Sequence, residues 1–341
     1  RYGSSFCDYD NDGLPDIVTE PRWCGFGCTT HDGYMHLLRN LGPGPNFQDV
    51  APSIISPGVP GPDDAETACW VDVDGDGNID LFLPTYPHSV TGGHGNYFLQ
   101  NLGPTPAYHF QEPIPGEAGL GNPPPSVATR PEGAQFADYD SDGDVDLYSN
   151  STLYQNNSLT GSPHFDALSA AASGITLFAF LDEGAAFVDY DLDGDYDLIV
   201  AYSECGPGVV IWENKGDGTF FKAEDGIVQC PCDGLNLGLS AADWDNDGDV
   251  DITTRQVFRK NMLLETGSRS FAVLDTNPNI NSAHITSATP AWGDWDHDGD
   301  LDCAMGNWAA TGHFYENTLY NASTPAANRR WSYYRKPAWI F

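Results

Sequence analysis

The chain has 341 residues, with 49 Asp+Glu against 14 Lys+Arg and a formal net charge of −35. So acidic a chain cannot neutralise a row of phosphates and is not drawn to an anionic lipid surface, which argues against nucleic-acid and membrane-surface partners. Yet 40 % of the residues are hydrophobic and 12 % aromatic, enough to build a core, so the acidity is not that of a disordered tail. Charge of one sign on this scale repels itself in a folded body unless cations are bound, and a metal is the first expectation.

Other classes fall away quickly. No apolar run reaches the roughly 18 residues a membrane span needs. The 37 Gly and 25 Pro follow no Gly-X-Y period, so the chain is not collagenous. It begins at Arg1 without a hydrophobic signal segment and reads as a mature or trimmed product.

Taken in chain order, the first recognisable element is the acidic string Asp8-Tyr9-Asp10-Asn11-Asp12-Gly13-Leu14-Pro15-Asp16. The same nine-residue pattern returns from Asp72, Asp138, Asp189, Asp243 and Asp294, always with Asp at positions 1, 3, 5 and 9 and Gly at position 6. Small and apolar residues precede each string (Gly184 to Val188) and an apolar run follows it (Leu198 to Ala201). Next comes a strand-like piece ending in Asn: His36–Asn40, Tyr97–Asn101, Leu153–Asn156, Val210–Asn214, Val257–Asn261 and His313–Asn317. After a turn such as Lys215 to Gly218, an aromatic opens the last strand: Phe47, Phe110, Phe165, Phe220, Phe271 and Trp331. Short β-branched and aromatic runs bounded by Gly, Asn and Asp are strands, and no segment keeps a 3.6-residue apolar period over three turns.

Each repeat therefore supplies four short strands, and one such sheet cannot bury both of its faces. Packed face to face as propeller blades, six can. The expected fold class is all-β: a β-propeller of six blades of four antiparallel strands, with one Ca2+ loop per blade. It forms a single domain over 1–341, with blades near 1–57, 58–118, 119–174, 175–229, 230–282 and 283–341. A linear array of units is the alternative, but neither end of the chain has the polar composition of a cap.

Carboxylates at positions 1, 3 and 5 of a tight loop converge on one cation, Gly at position 6 permits the sharp turn, and position 9 closes the shell. Position 7 offers its backbone carbonyl. Hard oxygen donors in that number select calcium over zinc or copper. The expected metal residues are Asp8, Asp10, Asp12, Leu14 and Asp16; Asp72, Asp74, Asp76, Asn78 and Asp80; and Asp138, Asp140, Asp142, Asp144 and Asp146. The second half of the chain adds Asp189, Asp191, Asp193, Asp195 and Asp197; Asp243, Asp245, Asp247, Asp249 and Asp251; and Asp294, Asp296, Asp298, Asp300 and Asp302. An EF-hand is excluded, because its Glu at position 12 is replaced by Thr19 and Leu83 in the first two loops. About six Ca2+ ions would reduce the charge from −35 to −23.

On these loops, the apolar strand after them and the turn from Asn214 to Gly218, the chain resembles the FG-GAP/VCBS repeat family over essentially its whole length. That family includes the calcium-binding blades of integrin α-subunit heads, fungal propeller lectins and several secreted polysaccharide-active enzymes. The resemblance implies a β-propeller with a metal loop between the first and second strand of each blade. Relatives often have seven or eight blades, so six is a departure: either a complete ring or a fragment of a larger one.

If the metal loops share one face with the turns between third and fourth strands, the long variable connections lie on the other. These connections carry Trp23, Tyr34, Tyr86, His88, His94, Tyr202 and Trp308, aromatic and polar groups suited to sugar rings or to a protein surface. Eight Cys without zinc spacing, together with sequons at Asn150, Asn156 and Asn321, point to disulfides, glycosylation and secretion. Cys24 with Cys28, Cys205 with Cys230 or Cys232, and Cys7 with Cys303 across a ring closure are the pairs the spacing suggests. Lys215-Gly216-Asp217 is part of the repeated turn, and Glu66, Glu132 and Glu183 follow from the repeat. No catalytic residue is assigned. The expected function is a secreted, calcium-binding, non-enzymatic module for a glycan or extracellular protein. The alternatives are a structural glycoprotein that assembles with copies of itself and a carbohydrate-active enzyme such as a polysaccharide lyase.

Overall fold

The computed structural model describes residues 4–19, 35–44, 46–55, 68–84, 97–104, 109–111, 134–149, 151–176, 182–202, 208–223, 238–254, 257–273, 290–294, 297–305, 313–317 and 332–334. Each acidic loop lies between two strands, and each repeat makes one sheet. The first is β1 (Ser4–Cys7), β2 (Asp16–Thr19), β3 (His36–Asn40) and β4 (Phe47–Asp49). The second is β5 (Cys69–Val71), β6 (Asp80–Leu83), β7 (Tyr97–Asn101) and β8 (Phe110–Gln111). The third is β9 (Gln135–Ala137), β10 (Asp146–Ser149), β11 (Thr152–Asn156) and β12 (Phe165–Ala167).

The fourth sheet is β13 (Asp182–Val188), β14 (Asp197–Tyr202), β15 (Val209–Asn214) and β16 (Phe220–Lys222). The fifth is β17 (Leu239–Ala242), β18 (Asp251–Thr254), β19 (Val257–Asn261) and β20 (Phe271–Val273). The sixth is β21 (Pro290–Gly293), β22 (Asp302–Met305), β23 (His313–Glu316) and β24 (Ser332–Tyr334). Strands pair in sequence order within every sheet, so these are the expected six blades of four antiparallel strands in a propeller fold. Third and fourth strands begin and end almost where the Asn and aromatic markers place them.

Burial explains the strand composition. The second strands β6, β10, β14 and β18 are buried along their whole length; after the opening Asp, β6 and β14 read as continuous apolar runs because both sheet faces are covered, whereas β10 and β18 also bury Ser149, Thr253 and Thr254. The fourth strands β4, β12 and β16 are largely exposed beyond their opening aromatic. The chain divides into two compact units, Arg1–Asp182 and Glu183–Phe341. In the first, Tyr9, Val18 and Leu37 of the first repeat pack with Leu81, Leu99 and Phe110 of the second, and Val73, Phe82 and Phe98 pack with Leu147, Tyr154 and Phe165 of the third. In the other unit, Tyr190, Ile199 and Ile211 pack with Leu239 and Ile252. Within each unit the core therefore lies between successive sheets.

Among the described residues, three one-turn helices depart from the all-strand expectation: α1 (Ala51–Ile54), α2 (Ala170–Ser173) and α3 (Leu263–Thr266). They are too short to leave an apolar period in the sequence. Local capping fixes α2, where the Ser169 side chain accepts from the Ala172 N–H and Gly174 closes the helix in the left-handed region; Gly267 closes α3 in the same way.

Cys7 and Cys303 are free thiols, which corrects the expected bridge between them. Each is fixed by its own strand register, Cys7 opposite Asp16 and Cys303 opposite Trp292. Burial pushes the Cys7 thiol up to about 11, far from the reactive range. The local pairs expected at Cys24, Cys28, Cys205, Cys230 and Cys232 lie outside the described residues. No helix among those described is long and apolar enough to cross a membrane.

Candidate metal centres

Each loop is folded by its own aspartates before any ion is considered. The position-1 Asp accepts the Gly N–H at position 6 in all six loops, at 2.8 Å in the first (Gly13 to Asp8) and 3.1 Å in the sixth (Gly299 to Asp294). The position-5 Asp accepts the N–H of position 7, as in Leu14 to Asp12 at 3.0 Å and Asn78 to Asp76 at 2.8 Å. Two left-handed residues make the turn this tight. One is the Gly at position 6, and the other is position 4, where Asn11, Ser141, Leu192, Asn246 and His297 all have φ between 55° and 62°. His297 is thereby explained as a turn residue.

The position-9 Asp ties the loop to the sheet. Its Oδ1 accepts the N–H of the Asn that ends the third strand, in every repeat and within 2.7–2.8 Å (Asn40, Asn101, Asn156, Asn214, Asn261 and Asn317). In the first, second and fourth loops its Oδ2 also accepts the N–H of position 2, at 3.2–3.3 Å. Burial pushes these carboxyls up, with the Asn N–H bond opposing it: Asp16 to about 6, Asp146 to about 7, Asp80 and Asp197 to about 8 and Asp251 to about 9. Neighbouring aspartates raise them further.

Folding gathers three of the five loop positions the sequence singled out, 1, 3 and 9. One oxygen each from Asp8, Asp10 and Asp16 lie within 4.8 Å of one another, and so do those of Asp72, Asp74 and Asp80, of Asp138, Asp140 and Asp146, of Asp189, Asp191 and Asp197, and of Asp243, Asp245 and Asp251. Oδ1 of Asp138, Oδ1 of Asp191 and Oδ2 of Asp251 are closed to solvent without a hydrogen-bond partner. Buried carboxylate oxygens of that kind call for a cation, because neither water nor a donor meets them. All the donors are hard oxygens, so the set fits a divalent ion such as calcium and offers nothing to a soft metal. Asp296 lies outside the described residues.

The sequence reading missed what the terminal Asn does. Its side-chain amide bridges two sheets: Asn101 Nδ2 donates to Ile79 O in its own loop and to Tyr9 O of the preceding loop, both at 3.1 Å. Asn156 does the same to Val145 and Val73, Asn261 to Val250 and Tyr190, and Asn317 to Leu301 and Trp244. Its Oδ1 takes the N–H two residues on, such as Gly103 at 3.1 Å. The recurrence of Asn after every third strand was the available signal.

That role corrects one glycosylation expectation. Asn156 is fully buried and both its amide hydrogens are bonded within the fold, so this sequon cannot carry a glycan in the native protein. Asn150 and Asn321 lie outside the described residues. Tyr202, expected on a ligand face, is 1 % exposed at the end of β14 and belongs to the core. Its strand continues inward where the sequence suggested that a loop began. Trp23, Tyr34, Tyr86, His88, His94 and Trp308 lie outside the described residues.

Residues 8–83 and 189–254 match the FG-GAP-like repeat family. Among curated proteins none matches the chain. Among solved structures, an Agrocybe aegerita lectin that recognises non-reducing terminal N-acetylglucosamine is 16 % identical, with a TM-score of 0.53 over 94 % of this chain and 77 % of that one. The V. cholerae biofilm matrix protein Bap1 is 14 % identical with a TM-score of 0.37, over 97 % of this chain and 55 % of that one. The rhamnogalacturonan lyase YesW is 11 % identical with a TM-score of 0.40, over 97 % of this chain and 74 % of that one. The first likeness shows a shared fold and no more. The two family matches span the first, second, fourth and fifth loops, and the third and sixth repeat the same residues and the same hydrogen bonds. The chain thus has six four-stranded blades in a propeller fold, and its residues 8–83 and 189–254 are similar to FG-GAP-like repeats.

Proposed function

We propose that the protein is a secreted, calcium-stabilised propeller, a single domain over residues 1–341, that binds a glycan or an extracellular protein without catalysing a reaction. The observation that carries the calcium part is the recurring cluster of oxygens from positions 1, 3 and 9, some of them buried and without a hydrogen-bond partner. The ions would be held by the aspartates of each loop, with the carbonyl of position 7, and they would offset part of the charge of −35. Millimolar calcium outside cells suits sites of this kind.

Glycan binding is supported by the likeness of fold to the Agrocybe aegerita lectin and by the aromatic residues of the long connections. A glycan array with and without EDTA tests both parts at once. Calcium-dependent retention of a defined sugar supports the reading. Saturable protein binding without sugar binding would favour an extracellular protein ligand instead. Production of unsaturated oligosaccharides from acidic polysaccharides would overturn the non-enzymatic part. Light scattering in calcium tests self-assembly, where a concentration-independent monomer counts against a polymer.

A further inference from the structure

The six loops share their aspartates but not the residue just before the terminal Asn, which is Arg39, Gln100, Gln155, Glu213, Lys260 and Glu316 in turn. In the first, second, third and fifth loops that side chain lies against the position-3 carboxylate. In the second and third loops it is a neutral amide: Gln100 Nε2 donates to Asp74 Oδ2 at 2.9 Å, and Gln155 Nε2 to Asp140 Oδ2 at 3.1 Å. In the first loop it is a cation. Arg39 Nε lies 2.6 Å from Asp10 Oδ2 and its Nη2 lies 3.2 Å from Asp12 Oδ2, so one guanidinium spans two of the loop's four carboxylates.

Resting on the calcium reading above, we propose that Arg39 is a built-in counter-cation of the first loop, which therefore binds a divalent ion more weakly than the second and third loops. Two differences act together. Arg39 gives the buried Asp10 a positive partner and so leaves the first loop with one fewer net negative charge than the second, and position 7 is Leu14 where the third loop has Asp144. An ion entering this loop must share Asp10 with the guanidinium or displace it. Among the described residues no Lys or Arg forms an ion pair with Asp74 or Asp140.

The fourth and fifth loops set off the contrast. There too a cation reaches position 3: Arg269 Nη1 lies 2.8 Å from Asp191 Oδ2, and Lys260 Nζ contacts Asp245. Each brings an extra carboxylate with it, Glu213 at 2.6 Å from Arg269 and Glu265 in contact with Lys260, so the loop's own charge is left uncancelled. The first loop has no such acidic companion among the described residues. Among the first five loops and the described residues, its charge alone is reduced.

The test is calcium titration of the EDTA-stripped protein by calorimetry, with wild type, Arg39→Gln and Gln100→Arg side by side. Arg39→Gln copies the second and third loops and is expected to move one site from the weak class to the tight class, tightening it about tenfold or more. Gln100→Arg is expected to move one site the other way, and it keeps the test open if the first variant folds poorly. Both variants are checked against wild type by circular dichroism. Calcium binding in classes that neither substitution changes would overturn this inference and leave the calcium reading standing. No calcium binding by wild type would overturn both.

Discussion

The asparagine that ends each third strand is the residue on which the repeat turns. Asn101 makes a buried set of four bonds: its N–H to Asp80, its amide hydrogens to Ile79 and Tyr9, and its Oδ1 to the Gly103 N–H. Replacing Asn101 by Ala strips buried backbone groups of their partners, and we expect a loss of about 2–4 kcal/mol in chemical denaturation. Asn101→Asp keeps the shape but loses the donors and adds a charge, so it should be no better. Peptide mass spectrometry of the protein expressed through a secretory pathway should find Asn156 unmodified, since the same bonds occupy it.

Leu192 sits at the other extreme. It occupies the left-handed position 4 of its loop with φ 61° and is 45 % exposed, where a branched side chain gains little and strains the backbone. Leu192→Asn or Leu192→Gly, the residue types found at that position in the first and second loops, should stabilise by roughly 0.5–1 kcal/mol. Gly143→Ala, at φ 98° with open space around the added methyl, should destabilise by about 1–2 kcal/mol through the backbone alone. A pair of urea curves separates the two effects.

At the scale of the element, loop and turn act as one. The turn after the third strand packs on position 7: a Cβ on Gly103 would lie 2.9 Å from Asn78 Oδ1, and one on Gly216 would lie 2.8 Å from Asp195 Oδ2. Metal loop and turn therefore share one end of their sheet, as strand order alone implies. The titration of these elements has a definite sign. Without an ion, Asp80, Asp146, Asp197 and Asp251 hold their protons up to about 8, 7, 8 and 9, whereas in the unfolded chain they lose them near the usual ~3.9. Their contribution to folding is complete below that lower value and fades as pH rises through 7–9. Asp247, held down to about 2 beside Lys260 despite its partial burial, is ionised across that range and does not alter the trend. In EDTA the melting temperature should be higher at pH 6 than at pH 9. Excess calcium, which needs the carboxylates ionised, should shrink or reverse that difference.

For the whole molecule, the expected consequence of calcium is mass action on many sites. With Kd near ~0.1 mM and calcium near ~1 mM, each occupied loop stabilises by about 1.4 kcal/mol. A scan with calcium should therefore melt well above one with EDTA, and magnesium at the same concentration should do less, because it accepts a crowded carboxylate shell reluctantly. Identical melting in the two buffers would remove the calcium reading.

The spacing of Asp, Gly, Asn and opening aromatic determined by itself that there are six sheets, where their strands run, and that the carboxylates of positions 1, 3 and 9 come together. These are local facts, since a nine-residue loop and the two strands it joins are folded by bonds among near neighbours. What lay beyond the sequence depends on residues far apart in the chain. Asn101 reaches Tyr9 across 92 positions of sequence, and Arg39 answers Asp10 from another strand. The same distance decided that Asn156 is a buried clamp where its sequon suggested a glycan, that Tyr202 belongs to the core, and that Cys7 and Cys303 are free thiols. Packing of one sheet on the next decides burial and partner, and no local pattern encodes either.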